Sequence, residues 1–260
     1  MYKGFKIENI QRNNNQGYYL EKGQKLYDSY KNEVRSSLQS FSQRDNSLDG
    51  SKIIESWFPE IDAHIFISHS HKDETLAITL AGWLYETFGI ISFIDSCVWG
   101  YANDLIRLLD NEYSWLYKEQ HIYSYEKVLN STSHIHMMLS TALSAMIDKT
   151  ECLFFLNTPN SLESFDQIDK TESQWIYSEI AVSQIIRTTI PDRIQERIQL
   201  IEKSMSKGIA GIESSLSIKY DLDSNHLTEI DYRTLNRWEV YNIHSPEMAL
   251  DKLYDIALLR

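Results

Sequence analysis

Three short apolar runs, each followed by polar residues, constrain this fold more than any other feature of the chain. They cover residues 64–68, 90–94 and 152–156, and they are rich in β-branched and aromatic side chains but too short to be helices. Because runs that are apolar at successive positions are typical of strands buried on both faces, they indicate a parallel sheet. The sequence therefore predicts an α/β fold, with a central parallel sheet and helices on both of its faces.

Helical patterns separate and follow these runs. Large apolar side chains recur every four residues over residues 76–88, and Gly89 stands where a left-handed residue would end that helix. Residues 137–147 form an apolar segment long enough to cross over the sheet. A last helix is expected to begin at Pro246, because proline is favoured at the first helical position. Two further candidate strands are residues 216–220 and 238–243.

The N-terminal residues 1–57 are polar, and we expect them to form an accessory segment outside an α/β domain of residues 58–260. One amphipathic helix is predicted in this segment, with its apolar stripe more favourably docked on the chain's own core than on another protein. We expect that residues before about Asp49 can be removed without unfolding the domain. The apolar positions of the helix are Leu26, Tyr30, Val34, Leu38 and Phe41.

Charge and cysteine content narrow the functional classes. The formal net charge of -12 at pH 7, with no basic stripe, argues against binding of nucleic acids. The two cysteines, Cys97 and Cys152, each lie beside apolar residues, which favours a reducing compartment over a disulfide framework. Since there is neither an 18-residue apolar run nor a leader pattern, we expect a cytoplasmic protein that does not span a membrane.

A helix predicted to begin after Ser173 carries the strongest candidate for chemistry. Ligands of open parallel sheets bind beyond the carboxyl ends of the strands, and this helix follows the third apolar run. Trp175 and Glu179 are four residues apart and therefore share one face, where an aromatic wall adjoins a carboxylate. From spacing alone, a core tryptophan and a solvated helix charge are the more common interpretation, because aromatic and acidic residues four positions apart occur on many helices.

Two motifs near the first apolar runs resemble the Toll/interleukin-receptor (TIR) domain family. Residues 66–70 with the acidic pair 73–74 are similar to the first-strand motif of that family, and residues 88–95 are similar to its second strand and the start of its BB loop. The resemblance covers residues 60–260. The chain departs from the family in an aromatic-rich insertion at about residues 108–133.

A third motif supports the same resemblance. Ser173, Trp175 and Glu179 stand in the order and at the spacing of the serine, tryptophan and catalytic glutamate of the TIR catalytic helix. The resemblance implies a flavodoxin-like fold and an NAD glycohydrolase or ADP-ribose cyclase activity, with Glu179 as the catalytic residue. NAD would be the substrate, and no cofactor or metal would be needed. The residues that it implies for NAD contact are Ser68, His69, Ser70, Asp95, Trp99, Tyr101 and Trp175.

The resemblance also implies partners and a setting. It implies self-assembly through the BB loop, at about residues 95–101, and an ADP-ribose-derived signal that reaches a separate effector protein in Thoeris-type anti-phage defence. Spacing in the sequence predicts no metal site, because His71, His134 and His136 lack further ligands at suitable intervals.

Two other functions remain open at this stage. One is a TIR scaffold without enzymatic activity, which would act by self-assembly. The other is an enzyme like the nucleoside deoxyribosyltransferases, which would use a carboxylate to cleave a nucleoside. Hydride transfer with a nicotinamide cofactor and ATP hydrolysis are disfavoured, because the chain has neither a G-x-G-x-x-G motif nor a Walker lysine motif.

Overall fold

The structure, a computed structural model, describes residues 1–10, 15–31, 41–42, 47–165, 168–198 and 220–258. The chain divides into two compact units. The first, here called the sheet unit, consists of residues 1–24, 62–94 and 147–260, and the second, here called the hairpin unit, consists of residues 25–61 and 95–146. Val34, Leu38 and residues 216–219, all in elements predicted from the sequence, lie outside the described residues.

The described residues contain ten strands and nine helices. The strands are β1 (Lys3–Glu8), β2 (Ile65–Ser68), β3 (Ser92–Ile94), β4 (Trp115–Tyr117), β5 (Ile122–Tyr123), β6 (Cys152–Asn157), β7 (Glu163–Phe165), β8 (Ile168–Thr171), β9 (Tyr220–Asp221) and β10 (Thr228–Asp231). The helices are α1 (Gln16–Lys31), α2 (Gly50–Trp57), α3 (Glu74–Phe88), α4 (Ser96–Tyr113), α5 (Tyr125–Lys149), α6 (Gln174–Ile185), α7 (Asp192–Ile198), α8 (Tyr232–Glu239) and α9 (Pro246–Leu258). None of these helices is long and apolar enough to cross a membrane.

A five-stranded sheet, in the order β3-β2-β6-β1-β10, forms the centre of the sheet unit. Every pair of neighbouring strands in it is parallel, and helices flank it. The predicted α/β class with a parallel sheet is thereby confirmed. The three apolar runs form β2, β3 and β6, in which every residue except the last of β6 is buried. Gly89 ends α3 with φ of 70°, as its place in the sequence predicts.

Strand β1 lies where the sequence analysis expects no part of the domain. Residues 1–57 are assigned there to an accessory segment, yet residues 3–8 pair with β6 on one side and with β10 on the other. The cause is the charge of the strand, because Lys3, Lys6 and Glu8 make a six-residue strand look polar. Phe5 and Ile7, which alternate with charged residues along the strand, are fully buried, so the N-terminus belongs to the core of the sheet.

The C-terminal region also differs from expectation. The predicted strand at residues 238–243 is wrong, because Trp238 lies near the end of α8 and is fully buried there. The strand nearest to that position is β10, which was not predicted because only one of its four residues, Ile230, is buried. The last helix begins at Pro246, as predicted.

Two glycines bring the backbones of α1 and α3 into contact within the sheet unit. A methyl group added at Gly82 would lie 1.9 Å from the carbonyl oxygen of Tyr19, and one added at Gly23 would lie 1.9 Å from that of Ile78. The side chain of Glu86 on α3 accepts a hydrogen bond from Lys22 at 2.9 Å and another from Tyr18. The first part of α1 is therefore docked on the chain's own core.

We expect Gly82→Ala to lower the free energy of unfolding by about 2 kcal/mol. Alanine is intrinsically favoured over glycine in a helix by about 1 kcal/mol, but forcing extra volume into a closed contact typically costs about 1–3 kcal/mol, and more where backbone must move. Urea denaturation measures the difference. Gly17→Ala is the matched control, since nothing lies within 4 Å of a methyl group there. A Gly82→Ala protein as stable as the Gly17→Ala protein would contradict the close contact.

The hairpin unit is built from helices and one antiparallel hairpin. Strands β4 and β5 pair through Trp115 and Tyr123, whose rings stack with centroids 4.0 Å apart. Asp110 near the end of α4 accepts hydrogen bonds from Ser114 at 2.7 Å and from Ser131 on α5 at 2.6 Å. The insertion expected at residues 108–133 thus consists of the end of α4, the hairpin and the start of α5.

Candidate functional site

The sheet has a topological switch point between β2 and β6. From β2 the chain proceeds to β3 on one side, and it later returns to form β6 on the other side. Crossover connections that leave in opposite directions open a crevice at the carboxyl ends of the two strands, and ligands of open α/β sheets bind there. Ser68 ends β2 and Asn157 ends β6, so these residues mark the crevice.

Glu179 lies on the buried face of α6. Ser173 caps this helix, with its hydroxyl accepting a hydrogen bond from the backbone N–H of Ile176 at 3.2 Å. Ile176, Glu179 and Ile180 then share the inner face, and Glu179 is only 1% exposed. The interpretation of Glu179 as a solvated helix charge is therefore wrong.

Ser68 and Glu179 are hydrogen-bonded to each other across 111 positions of sequence. The Ser68 hydroxyl donates to Oε2 of Glu179 at 2.6 Å, and both side chains are buried. This distance is that of a short, well-formed hydrogen bond between two oxygen atoms. Removal of a carboxylate from water carries an effective penalty of several kcal/mol, so such groups are concentrated where a function needs them.

His69 follows Ser68 and is fully buried. Burial lowers the pKa of its imidazole below the ordinary value of 6.5, while the nearby charge of Glu179 acts in the opposite direction. The ring is accordingly neutral at neutral pH. Ser70 is also buried and precedes the short 3₁₀ turn His71–Asp73 that leads into α3. These three consecutive residues therefore lie together at the carboxyl end of β2, as expected.

Asp73 joins the two sides of the crevice. Its carboxylate accepts a hydrogen bond from the Thr158 hydroxyl at 2.5 Å and another from the Asn160 side-chain amide at 2.7 Å. Thr158 and Asn160 follow β6, whereas Asp73 follows β2. Sequence reasoning missed this clamp, because Thr158 and Asn160 lie 85 and 87 positions after Asp73 and no local pattern links them to it.

Lys6 is a second polar residue that sequence reasoning missed. It is paired in register with Phe155, which is itself paired with Ser68, so the three side chains lie on one face of the sheet at the same level. Its ammonium group lies 3.0 Å from Asp169 and 3.8 Å from Glu8, and its side chain is 9% exposed. These ion pairs compensate the charge of a lysine in an inner strand.

Trp175 occupies the expected place on α6, one turn before Glu179, and it is partly exposed. The remaining predicted contacts, Asp95, Trp99 and Tyr101, belong to the hairpin unit. They were expected on a loop, but α4 begins at Ser96, so that loop is wrong. The helix forms because Ala102, Leu105 and Leu109 recur at helical spacing and are all buried.

Two observations concern ligands of other kinds. Among residues in the described ranges, no group of three histidine, cysteine, aspartate or glutamate side chains could hold a metal ion. Cys152 is buried within β6, and burial raises the pKa of its thiol well above the ordinary value. A thiol that stays protonated is a poor nucleophile, so Cys152 serves packing.

No protein-family model matches this chain, and comparisons with curated proteins and with solved structures find no match. The chemistry of Ser68, His69 and Glu179 is therefore the basis on which a function can be proposed.

We expect the melting temperature to fall as the pH is lowered from 7.5 to 5.5. Burial lowers the pKa of the His69 imidazole, and partial desolvation lowers that of His226, an exposed residue whose Nε2 lies 2.8 Å from the Ser183 hydroxyl on α6. Because the unfolded chain binds these protons first, stability is fully present above about pH 6.5 and is lost as the pH falls toward the lower folded-state pKa. Calorimetry at constant ionic strength measures the effect.

Substitutions test whether these two rings are the cause. His69→Asn and His226→Asn should each flatten the pH dependence of the melting temperature. His121, at the tip of the hairpin in the hairpin unit, offers the control His121→Asn, expected to keep the dependence of the parent protein. A melting temperature that rises between pH 7.5 and 5.5 would contradict the assignment.

Proposed function

We propose that this chain is a TIR-like NAD glycohydrolase or ADP-ribose cyclase, which cleaves the nicotinamide–ribose bond of NAD with Glu179 as the catalytic residue. The observation that carries the proposal is the burial of the Glu179 carboxylate beside Ser68 at the switch point of the sheet. A buried carboxylate at the carboxyl end of a parallel sheet is expensive to maintain for stability alone and is well placed for a ligand.

The strand order supports a flavodoxin-like arrangement as the finer description of the fold. In chain order, β2, β3 and β6 take the positions that the first three strands occupy in the 2-1-3-4-5 order of flavodoxin-like sheets. The next position is filled by β1, from the N-terminus, where such sheets use the next strand along the chain. The part of the sheet that carries the switch point therefore follows the flavodoxin-like order, and the sheet differs from that order at β1.

The reaction requires stabilisation of positive charge at the ribose. The C1′–N bond breaks, both bonding electrons leave with nicotinamide, and C1′ acquires oxocarbenium character. A carboxylate beside the ring stabilises that charge, as in the cleavage of glycosides. Water then adds to C1′ and loses a proton, which gives ADP-ribose, whereas attack by an adenine nitrogen of the same molecule gives a cyclic product.

The neighbours of Glu179 suit this role. The Ser68 hydroxyl fixes the orientation of the carboxylate through Oε2. The neutral imidazole of His69 adds no positive charge that would oppose a cationic ribose, because burial lowers its pKa. Trp175, one turn earlier on the same helix and partly exposed, can present its ring to the nicotinamide ribose.

The wider setting follows from the TIR resemblance. The product would act as an ADP-ribose-derived signal to a separate effector protein in anti-phage defence, and self-assembly would control activity. Contacts of Asp95, Trp99 and Tyr101 with NAD stay a prediction.

The test is product analysis with two alternative substrates. The purified full-length chain, at high concentration, is incubated with NAD or with a mixture of deoxynucleosides and free bases, each with and without EDTA, and products are identified by mass spectrometry. We expect nicotinamide and an ADP-ribose product from NAD, at the same rate in EDTA. Base exchange on deoxynucleosides would instead indicate a deoxyribosyltransferase, and the absence of both reactions would indicate a scaffold.

A further inference from the structure

The hairpin unit exposes an unusual concentration of apolar side chains. Of the seventeen large apolar residues that are exposed within the described ranges, seven lie between residues 113 and 129. We call them the hairpin patch. They are Tyr113, Leu116, Tyr117, Ile122, Tyr123, Tyr125 and Leu129. Single exposed apolar residues are ordinary, but seven of them within residues 113–129 form the kind of concentration that marks a surface that binds a partner.

The hairpin holds this patch in a defined shape. Trp115 stacks on Tyr123 with an interplanar angle of 17°, and its indole N–H donates to the carbonyl oxygen of Asn111 at 2.7 Å. The Tyr123 hydroxyl donates to the Asn111 side chain at 2.5 Å. These contacts tie the hairpin to the end of α4. Since the rings of Trp115 and Tyr123 are held before any partner arrives, the hairpin loses little conformational entropy on binding.

The local charge differs from that of the whole chain. The charged residues between 113 and 129 are two lysines, Lys118 and Lys127, and two glutamates, Glu119 and Glu126, which balance each other, whereas the chain carries a formal net charge of -12. Two copies of so acidic a protein repel each other over most of their surfaces. They can approach most closely through an apolar face on which the lysine and glutamate charges balance.

We infer that the hairpin patch is the surface through which two copies of this chain form a symmetric dimer. The exposed fractions of its seven side chains, from 39% to 79%, correspond to roughly 700 Å² of apolar surface if a full aromatic side chain offers about 200 Å². A stable interface of standard size buries about 800 Å² on each partner. The patch accounts for most of that area. This inference does not depend on the proposed reaction.

Sedimentation velocity of the full chain over about 1–100 µM tests the inference. The parent protein should change from monomer to dimer within this concentration range, because the weaker interfaces of this size have micromolar dissociation constants. Because residual repulsion between acidic copies is screened by salt, the dimer should tighten between 50 and 500 mM sodium chloride. The double variant Leu116→Asp/Tyr117→Asp should raise the dimer Kd by about 100-fold or more, the scale on which central interface residues act.

The matched control places the same charges on exposed apolar residues of the sheet unit. Ile185→Asp/Val240→Asp substitutes two side chains that are each 82% exposed, and it should leave the dimer Kd within about 3-fold of the parent value. Tyr125→Asp, at a position 79% exposed, provides a second hairpin variant if the double variant is poorly folded by circular dichroism. A parent protein that stays monomeric, or a dimer weakened equally by the control, overturns the inference.

Discussion

A chain that begins at residue 49 is expected to lose its cooperative fold. It lacks β1, which lies between β6 and β10 and is hydrogen-bonded to both, so the sequence-based expectation that these residues can be removed without unfolding is replaced by its opposite. Without it the backbone groups along one side of β6 lose their partners, and β10 is cut off from the sheet. The truncation also removes α1, whose glycine contact covers α3. Circular dichroism and calorimetry of the truncated protein measure the loss.

A point substitution isolates the contribution of β1. Phe5 is fully buried, and its ring packs edge-on against Phe154 and stacks on Tyr254. Phe5→Ala should lower the free energy of unfolding by about 3–5 kcal/mol, the usual cost of such a cavity. Leu258→Ala, at a position 72% exposed, is the control and should stay within about 0.5 kcal/mol of the parent. If the truncated chain melts cooperatively and Phe5→Ala lowers the free energy of unfolding no more than the Leu258→Ala control does, β1 lies outside the core.

The sequence predicts those parts of the fold that are encoded locally. The strands β2, β3 and β6 are apolar at nearly every position, and α3 carries both a repeat of buried residues and a left-handed glycine at its end. β1 could not be found in this way, because Lys6 looks unsuited to an inner strand until Asp169 is known to lie 3.0 Å away. That carboxylate is 163 positions distant in sequence and supplies the compensation.

The residues of the candidate site likewise divide into those that the sequence predicts and those that depend on the fold. Spacing and the TIR resemblance select Glu179 and Trp175, because both lie on one short helix. The partner of Glu179, Ser68, is identified only as a possible NAD contact, since its hydrogen bond depends on how α6 packs on the sheet. The Asp73 clamp depends on how the fold brings together the segments that follow β2 and β6, so no local sequence pattern predicts it. The predicted loop at residues 95–101 failed because a buried helical repeat just beyond it extends α4 back to Ser96.

Glu179→Gln is expected to reduce nicotinamide release from NAD by about 100-fold or more while the fold is preserved. Glutamine keeps the size of the side chain and can still accept a hydrogen bond from Ser68, but it carries no charge to stabilise a cationic ribose. Loss of one preorganised group that stabilises a charged transition state costs about 10²–10³-fold in turnover. Because a neutral amide is less costly to bury than a carboxylate, the variant should melt at or above the temperature of the parent protein.

The most direct measurement is the rate of nicotinamide release from NAD by the parent protein, Glu179→Gln and Glu172→Gln at equal folded concentration. Glu172 is exposed just before α6, so its substitution makes the same chemical change at a solvent-exposed carboxylate. The proposed function predicts that the parent and Glu172→Gln release nicotinamide at the same rate. Glu179→Gln should release it at least about 100-fold more slowly. The melting temperature of Glu179→Gln should equal or exceed that of the other two proteins. Release by Glu179→Gln at the rate of the parent would contradict the role of this carboxylate.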